Sequence, residues 1–202
     1  MTSAPHNNSF RSSREDEFWT WFQNNEHTLF NFERDQERVF NRLIKAMRKV
    51  HPDLVFEFGP IENNKREFVI SAGGLKSAFP FVERLYSRAP NLACWNFTKF
   101  RPRRTPMEIK IGDIRVSPDD VEVTIQADGE KAGLTVYLRG LDKKREDQYL
   151  QAAFLLLDQA IGEYDMEIKV GFIEIKPFEQ STKFQRLNLL SLQTVFDTFM
   201  SR

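Results

Sequence analysis

Two stretches of the chain, residues 54–104 and 121–175, show the same succession of patterns, and this likeness constrains the fold more than any other feature. Each begins with two runs in which apolar and polar residues alternate, as in half-buried strands joined by a hairpin. Each continues with helical periodicity and ends on another alternating run. The order predicts an α+β fold built from two ββαβ units, an internal repeat, with helices packed on one face of antiparallel sheet.

The two units can be combined in more than one way. They can pair edge to edge into one continuous antiparallel sheet, or they can close two separate small sheets. We expect the continuous sheet, because it leaves fewer strand edges exposed. Residues 12–104 would then carry the N-terminal helices and the first unit, and residues 105–202 would carry a hairpin, the second unit and a C-terminal helix. Both parts are expected to belong to one compact structure.

Local signals predict the segments outside the two units. Residues 1–11 are rich in Ser, Asn and Pro and are expected to be a disordered tail. Helical spacing predicts a pair of N-terminal helices, over residues 14–25 and 33–50, and a C-terminal helix over residues 184–200. Residues 109–116 are typical of a small hairpin between the units.

The closing strand of the second unit shows an interrupted alternation. Residues 166–175 alternate between apolar and polar, but the apolar side changes after Gly171. A change of phase within a strand indicates an extra residue on one side of the ladder. The sequence therefore predicts a strand over this whole segment, with a β-bulge at the glycine.

Charge and cysteine content exclude several classes of function. The 202 residues include 29 Lys and Arg and 29 Asp and Glu, so no overall field attracts nucleic acid or a membrane. An electrostatic partner must therefore be attracted by a local patch. The single cysteine, Cys94, excludes an internal disulfide and a cysteine-based zinc site, and we expect it to be buried. Because no apolar run is long enough to cross a membrane, a cytoplasmic location is expected.

The first predicted helix is unusually aromatic. Phe18, Trp19, Trp21 and Phe22 occur within five residues and cover more than one helical face. One interpretation is that part of this helix packs on a partner protein. The other, which we favour, is that the helix is wedged between the two repeats, because large rings are usually buried.

The strongest local charge feature is the segment Lys99-Phe100-Arg101-Pro102-Arg103-Arg104. It follows a predicted strand that carries Trp95 and Phe97. Cations neutralise phosphates and aromatic faces stack on unpaired bases, so the combination is compatible with single-stranded RNA. A solvated turn, a turn paired with acidic helix ends, and docking on an acidic protein surface are equally consistent with it.

Motifs that carry chemistry are absent from the sequence. It contains no glycine-rich nucleotide loop, no Gly-x-Ser-x-Gly and no His-Glu-x-x-His, so no cofactor or metal is expected. Carboxylates are plentiful around the predicted strands, where they usually keep an exposed sheet face soluble. They are Glu57, Glu67, Glu122, Glu163, Asp165, Glu167 and Glu174. An acid–base pair among them would require neighbours that perturb its pKa.

Three segments resemble a family of uncharacterised bacterial cytoplasmic proteins. They are Phe18-Trp19-Thr20-Trp21-Phe22, Phe100-Arg101-Pro102-Arg103, and the stretch from Gly162-Glu163-Tyr164 to Gly171-Phe172-Ile173-Glu174. The resemblance spans most of the chain and implies bacterial origin, but it names no activity. Duplicated small α+β units are also similar to regulators that bind and inhibit other proteins, which is an analogy of fold alone.

The leading hypothesis is a non-enzymatic binding or regulatory protein that acts through protein–protein contact. Its support is the absence of catalytic motifs, the balanced charge and the surplus of aromatic residues. The alternatives are an RNA-binding module that uses residues 99–104 and an enzyme with an unrecognised carboxylate site. A homodimer would be a simple way to bury the aromatic helix. The candidate binding residues are Trp19, Trp21, Phe22, Lys99, Phe100, Arg101, Arg103 and Arg104.

Overall fold

A computed structural model describes residues 12–201, which form seven α-helices and three β-sheets. The predicted tail, residues 1–11, lies outside the described residues. The helices are α1 (Arg14–Asn24), α2 (Glu26–Phe30), α3 (Gln36–Val50), α4 (Phe79–Ser87), α5 (Glu146–Ile161), α6 (Glu163–Lys169) and α7 (Leu189–Met200). The strands are β1 (Val55–Glu62), β2 (Lys65–Ser71), β3 (Trp95–Lys99), β4 (Ile109–Ile111), β5 (Ile114–Val116), β6 (Val121–Asp128), β7 (Lys131–Leu138), β8 (Val170–Pro177) and β9 (Leu187–Asn188).

The first sheet has the strand order β1-β2-β3. β1 and β2 form an antiparallel hairpin, and β3 returns parallel to β2 after crossing through α4. The hairpin turns at Asn63 and Asn64, which have φ values of 50° and 62°. Asn tolerates this left-handed conformation better than most residues, so a two-residue turn suffices. Both strands therefore run up to this turn, β1 to Glu62 and β2 from Lys65.

The core of the first half is built from aromatic rings. Phe22 and Phe68 are fully buried, and their ring centroids lie 5.2 Å apart. The rings of Trp95 and Phe97, from β3, pack on Phe22 at 4.9 and 5.6 Å. Helices α1, α3 and α4 contribute to this same cluster. The aromatic surplus of the sequence is thus used to fill one small core, where edge-to-face pairs add to the burial of apolar surface.

The second sheet has the strand order β8-β7-β6-β9 and an aliphatic core. β6 and β7 form an antiparallel hairpin, and β8 returns parallel to β7 after crossing through α5 and α6. The register of β8 on β7 shifts between Val170 and Phe172, so the bulge predicted at Gly171 is confirmed. The third sheet is the predicted hairpin of β4 and β5, which lies against α5.

Two expectations about the sheets are wrong. The halves do not share a continuous sheet, since β1-β2-β3 and β8-β7-β6-β9 are separate. Neither of these sheets is purely antiparallel, because a strand that returns through a crossover helix lies parallel to the strand before the helix.

The segment expected to be one strand over residues 166–175 begins instead as α6, and only Val170 onward is extended.

Candidate functional site

The linker, which we define as residues 100–108, is the structural joint between the two halves. Its residue Arg101 exchanges two hydrogen bonds with Glu163 at the start of α6. The backbone amide of Arg101 donates to Glu163 Oε2 at 2.9 Å, and the amide of Glu163 donates to the carbonyl of Arg101 at 3.0 Å. The amide of Arg104 donates to the carbonyl of Gln159 at 2.7 Å. The linker therefore lies along the C-terminal end of α5.

The Glu163 carboxylate also reaches the first half. It is fully buried, and its Oε1 accepts hydrogen bonds from Ser71 Oγ at 3.0 Å, from the amide of Ala72 at 2.9 Å and from the amide of Gly74 at 3.1 Å. These donors lie at the end of β2 and just after it. One carboxylate thus accepts hydrogen bonds from the end of β2 and from the linker, while Glu163 itself belongs to α6. It therefore connects three parts of the molecule.

Gly162 allows the linker to pass this close. Its φ is +89°, a conformation that L side chains rarely adopt. A Cβ at this position would lie 3.2 Å from Cγ of Arg103 and 3.4 Å from the carbonyl oxygen of Arg101. Any side chain would therefore push the linker away from the end of α5.

Each of the linker arginines, which are Arg101, Arg103 and Arg104, is paired with an acidic side chain. Nε of Arg101 lies 2.6 Å from Oδ2 of Asp158. The guanidinium of Arg103 contacts Asp165 at 2.6 Å and Asp197 at 2.7 Å, while Arg104 contacts Glu67 at 2.6 Å. Of the alternatives left open for this segment, the structure shows a paired turn. Asp158, Asp165 and Asp197 lie on helices, whereas Glu67 lies on β2.

The other two residues of the predicted basic site are placed differently. Lys99 is half exposed and lies 3.6 Å from Glu83. Phe100 is only 4% exposed, adopts a φ of +61°, and packs on Phe79 and Tyr164 at 4.5 and 5.3 Å between centroids. Because its ring is covered, Phe100 offers no face on which a base could stack.

The aromatic helix α1 packs on the first sheet. We expected it to be buried between the two repeats; it is buried, but that position is wrong. Trp19 is 3% exposed, and Nε1 of its indole donates to the carbonyl of Leu85 at 2.8 Å. Phe22 is fully buried. Trp21 is half-buried at the edge of the same cluster. In this conformation Trp19 and Phe22 are not accessible to a partner. Cys94, expected to be buried, is exposed just before β3.

A cleft opens beside the joint, between β1, the linker and α5. It has a volume of about 320 Å³, which is within the range of small-molecule sites. Two carboxylates, Glu57 and Asp158, and two arginines, Arg101 and Arg104, line it. Its apolar wall is formed by Phe58, Pro60, Pro102, Met107 and Leu155.

Asp158 is the unusual group of this cleft. It is 3% exposed, and its Oδ2 is used by Arg101, but its Oδ1 is buried and has no hydrogen-bond partner among residues 12–201. Burial raises the pKa of the Asp158 carboxyl; Arg101 opposes this, and the nearby Glu163 and Glu57 carboxylates reinforce it. An unpaired buried acceptor is costly, so the site favours a ligand that donates a hydrogen bond.

Glu57 faces the same guanidinium from β1, with Oε1 lying 3.8 Å from Nε of Arg101. Burial raises the pKa of the Glu57 carboxyl, and Arg101 and Arg104 offset part of that rise. Burial also raises the pKa of Glu167, with Glu163 and Asp158 acting in the same direction. The two carboxylates that line the cleft thus face two guanidinium groups, those of Arg101 and Arg104. No group of three or more His, Cys, Asp or Glu side chains in the described part of the chain is arranged to hold a metal ion.

Sequence reasoning named Glu57 and Glu163 among many carboxylates but missed Asp158. A signal for Asp158 was present, because it stands four residues after Phe154 and three before Ile161, two apolar residues within the helical pattern of the second unit. Glu163 was expected on a soluble face, and that expectation is wrong, since it is fully buried. No periodicity marks Glu163, because the donors to its carboxylate lie between 62 and 92 residues away in sequence.

Comparison of the chain with protein-family models, with curated proteins and with solved structures finds no match. Between residues 12 and 201, no helix combines the length and the apolar character needed to cross a membrane.

Proposed function

We propose that this is a binding protein, without a catalytic step of its own, whose cleft beside the linker receives an organic cation such as an ammonium or guanidinium group. The observation that carries the proposal is Asp158, a carboxylate that lines the cleft beside Glu57 and whose buried Oδ1 has no hydrogen-bond donor among residues 12–201. The cation can belong to a free amine or to a Lys or Arg side chain of a protein partner. The second source agrees with a regulatory role through protein–protein contact.

The apolar wall of the cleft supports a ligand with an aliphatic stem. Phe58, Met107 and Leu155 line the cleft together with the two carboxylates. Met107 is 64% exposed, so it lies at the mouth and can cover a ligand that enters. Lys and Arg side chains bury an aliphatic stem on apolar surface and present a charged end to polar partners, which matches this distribution.

The pairing of the linker arginines weakens the RNA-binding alternative. Arg101, Arg103 and Arg104 have carboxylate partners, so their charge is already compensated within the chain. A phosphate would have to break these contacts before it could bind. The same argument applies to docking of this segment on an acidic protein surface.

The enzyme alternative has one specific observation in its favour. Glu57 and Asp158 contact the same guanidinium and both have raised pKa values because of burial. Carboxyl groups with such values can act as general acids or bases. Turnover of an amine-bearing substrate, rather than simple saturation, would distinguish this alternative from binding.

The direct test is isothermal titration calorimetry with two small probes, n-butylammonium and n-propylguanidinium, and with blocked Gly-Lys-Gly and Gly-Arg-Gly peptides. We expect at least one cation to bind and n-butyrate not to bind. Preference for a peptide over the small probe of the same charge would identify a protein partner as the source. Asp158→Asn should weaken the affinity by about tenfold or more, because a hydrogen bond to a charged group is lost.

Asp147→Asn is the matched control, because it makes the same change at an exposed position of the same helix. It should leave the affinity unchanged. If Asp158→Asn melts before the titration temperature, Glu57→Gln replaces it, since Glu57 is half exposed and lines the cleft from β1. Equal binding of cations and n-butyrate, or equal affinity in the variants and the control, would contradict the proposal.

The proposal has three further parts, which are a duplicated origin, a cytoplasmic location and a homodimer. The two halves share the order hairpin, crossover helix and parallel strand, which supports their origin as a duplicated ββαβ unit. The resemblance to bacterial cytoplasmic proteins supports a cytoplasmic location in a bacterium. A homodimer is the remaining part, and light scattering would test it.

A further inference from the structure

A second cationic region lies on α3, away from the linker. The chain from Arg38 to Pro52 contains five Lys and Arg residues and no Asp or Glu. All five are exposed, and we name them together the cationic stripe. They are Arg38, Arg42, Lys45, Arg48 and Lys49.

The spacing of the cationic stripe places its members on one side of the helix. Arg38, Arg42, Lys45 and Lys49 are separated by four, three and four residues, which keeps them on a single face, and Arg48 lies beside them. The opposite face of α3 is buried in the aromatic core through residues that include Leu43 and Met47. The helix is therefore fixed on the sheet and cannot turn its cations inward.

Most of the cationic stripe has no acidic partner in the described part of the chain. Arg38 pairs with Asp35, one turn earlier, and Arg42 donates to the amide oxygen of Asn25. Lys45, Arg48 and Lys49 contact no carboxylate among residues 12–201 at ion-pair distance, and neither does Arg42. The only acidic residue within α3 is Glu37, in its first turn. Four of the five cations therefore have no ion-pair partner among the described residues, so this face carries an excess of positive charge.

We propose that the exposed face of α3 is a docking surface for the phosphodiester backbone of a nucleic acid, bound without regard to base sequence. The distance from Arg38 to Lys49 is about 16 Å at the rise of an α-helix. Along the axis of a duplex, the charges of each strand recur about every 3.4 Å, so 16 Å of axis carries about five phosphates of one strand. This surface is separate from the cleft, and its function does not depend on the ligand proposed there.

The composition of the face favours phosphates over a membrane. The exposed positions of α3 are Lys, Arg, Glu, Gln and Asn, and its large apolar residues are buried or half-buried against the sheet. Helices that lie in a membrane interface insert large apolar side chains beside their cations. α3 therefore provides electrostatic contact without an apolar anchor.

The test is fluorescence anisotropy with a labelled 20-nucleotide oligo(U) and a labelled 20-base-pair DNA duplex. If about four phosphates are neutralised, affinity should fall between 50 and 200 mM salt by roughly 50-fold for the single strand and roughly 150-fold for the duplex. The stronger of the two probes identifies the form that the surface prefers. The change Lys45→Gln, Arg48→Gln, Lys49→Gln should lower the slope of log K against log salt by about two to three.

The matched control is Lys143→Gln, Lys144→Gln, Arg145→Gln, which removes the same charge from an exposed turn of the second half. It should retain the binding and the slope of the unaltered protein. Gln keeps helix propensity, and a thermal melt of each variant confirms that folding is retained. Equal loss in both variants, salt-insensitive binding, or tighter binding of a 20-residue poly-Glu peptide or of phosphatidylserine vesicles would overturn the proposal.

Discussion

The linker arginines and the cationic stripe of α3 are alike in sequence and opposite in surroundings. Each is a short run of Lys and Arg without an intervening acid. Arg101, Arg103 and Arg104 contact Asp158, Asp165, Asp197 and Glu67, and so hold the halves together. The stripe of α3 faces solvent with few partners. A cluster of cations thus becomes a joint or a surface according to which carboxylates the fold brings to it.

Removing a charge should have different energetic effects in the two regions, because their charges are hydrated to different degrees. Arg101 and Asp158 have side chains that are 17% and 4% exposed, so neither charge is well hydrated when its partner is removed. Side chains on an exposed helix face remain hydrated whether or not a partner is present, and their pairs contribute little. Substitutions of the same type should therefore have unequal effects in the two regions.

The largest difference between the linker arginines and the cationic stripe is expected when their charges are reversed. Changing all three linker arginines to Glu should lower the free energy of unfolding by more than about 5 kcal/mol, because several shielded pairs become repulsive contacts. Changing Arg42, Lys45 and Arg48 to Glu should cost only about 1 kcal/mol, because the side chains stay hydrated and only Arg48 lies in the last turn, where the helix dipole favours a cation. Urea denaturation of the two triple variants measures both values. Similar losses in the two would show that the linker arginines are not the joint.

Removal of Glu163 should have the next largest effect. Glu163→Ala leaves the hydroxyl of Ser71 and the amides of Ala72, Gly74 and Arg101 without their acceptor. We expect a loss of about 3–5 kcal/mol, the usual cost of leaving a buried hydrogen-bonded charge site unpaired. Denaturation monitored by Trp fluorescence measures the loss.

Because all three Trp residues lie in the first half, this signal also reports whether that half unfolds separately. Glu130→Ala, in the exposed turn between β6 and β7, is the control and should be neutral. A small effect of Glu163→Ala would mean that the halves are held together by other contacts.

The smallest expected effect on stability is that of Glu57→Gln. Unlike the preceding variants, it should stabilise the folded protein. Burial raises the pKa of Glu57 in the folded protein, so its ionisation opposes folding once the pH exceeds the ordinary carboxyl value. The variant should therefore be more stable than the unaltered protein at pH 7, and the difference should vanish at a pH well below that ordinary value. Since the side chain is 44% exposed, the gain is at most about 0.5 kcal/mol.

Thermal melts of Glu57→Gln between pH 3 and pH 7 measure this dependence. Glu62→Gln, at the exposed end of the same strand, is the matched control. Destabilisation by Glu57→Gln at pH 7 would show that its contact with Arg101 outweighs the cost of burial. The carboxylate would then be part of the joint rather than a group held ready for a ligand.

Local signals predicted most of the elements but not their combination. The helix expected over residues 14–25 and the bulge at Gly171 both occur, because periodicity and glycine report the conformation of the adjacent backbone. The strand predicted from residue 166 is wrong in its first residues, which belong to α6. Met166 and Ile168 alternate with polar residues, but this alternation covers only one or two helical turns. A segment of that length fits both periods, and only packing decides between them.

The sequence by itself determined the α+β class, the succession of hairpin, helix and returning strand in each half, and the presence of two clusters of cations. Those properties depend on residues that are near one another along the chain. Only the tertiary structure decided that Asp158 and Glu163 are buried and that the linker arginines are paired within the joint. It also decided that four of the five cations of the α3 stripe have no carboxylate partner among residues 12–201. The physical reason is that the effect of a charge depends on its solvation and on its nearest counter-charge, and both are set by residues distant in sequence.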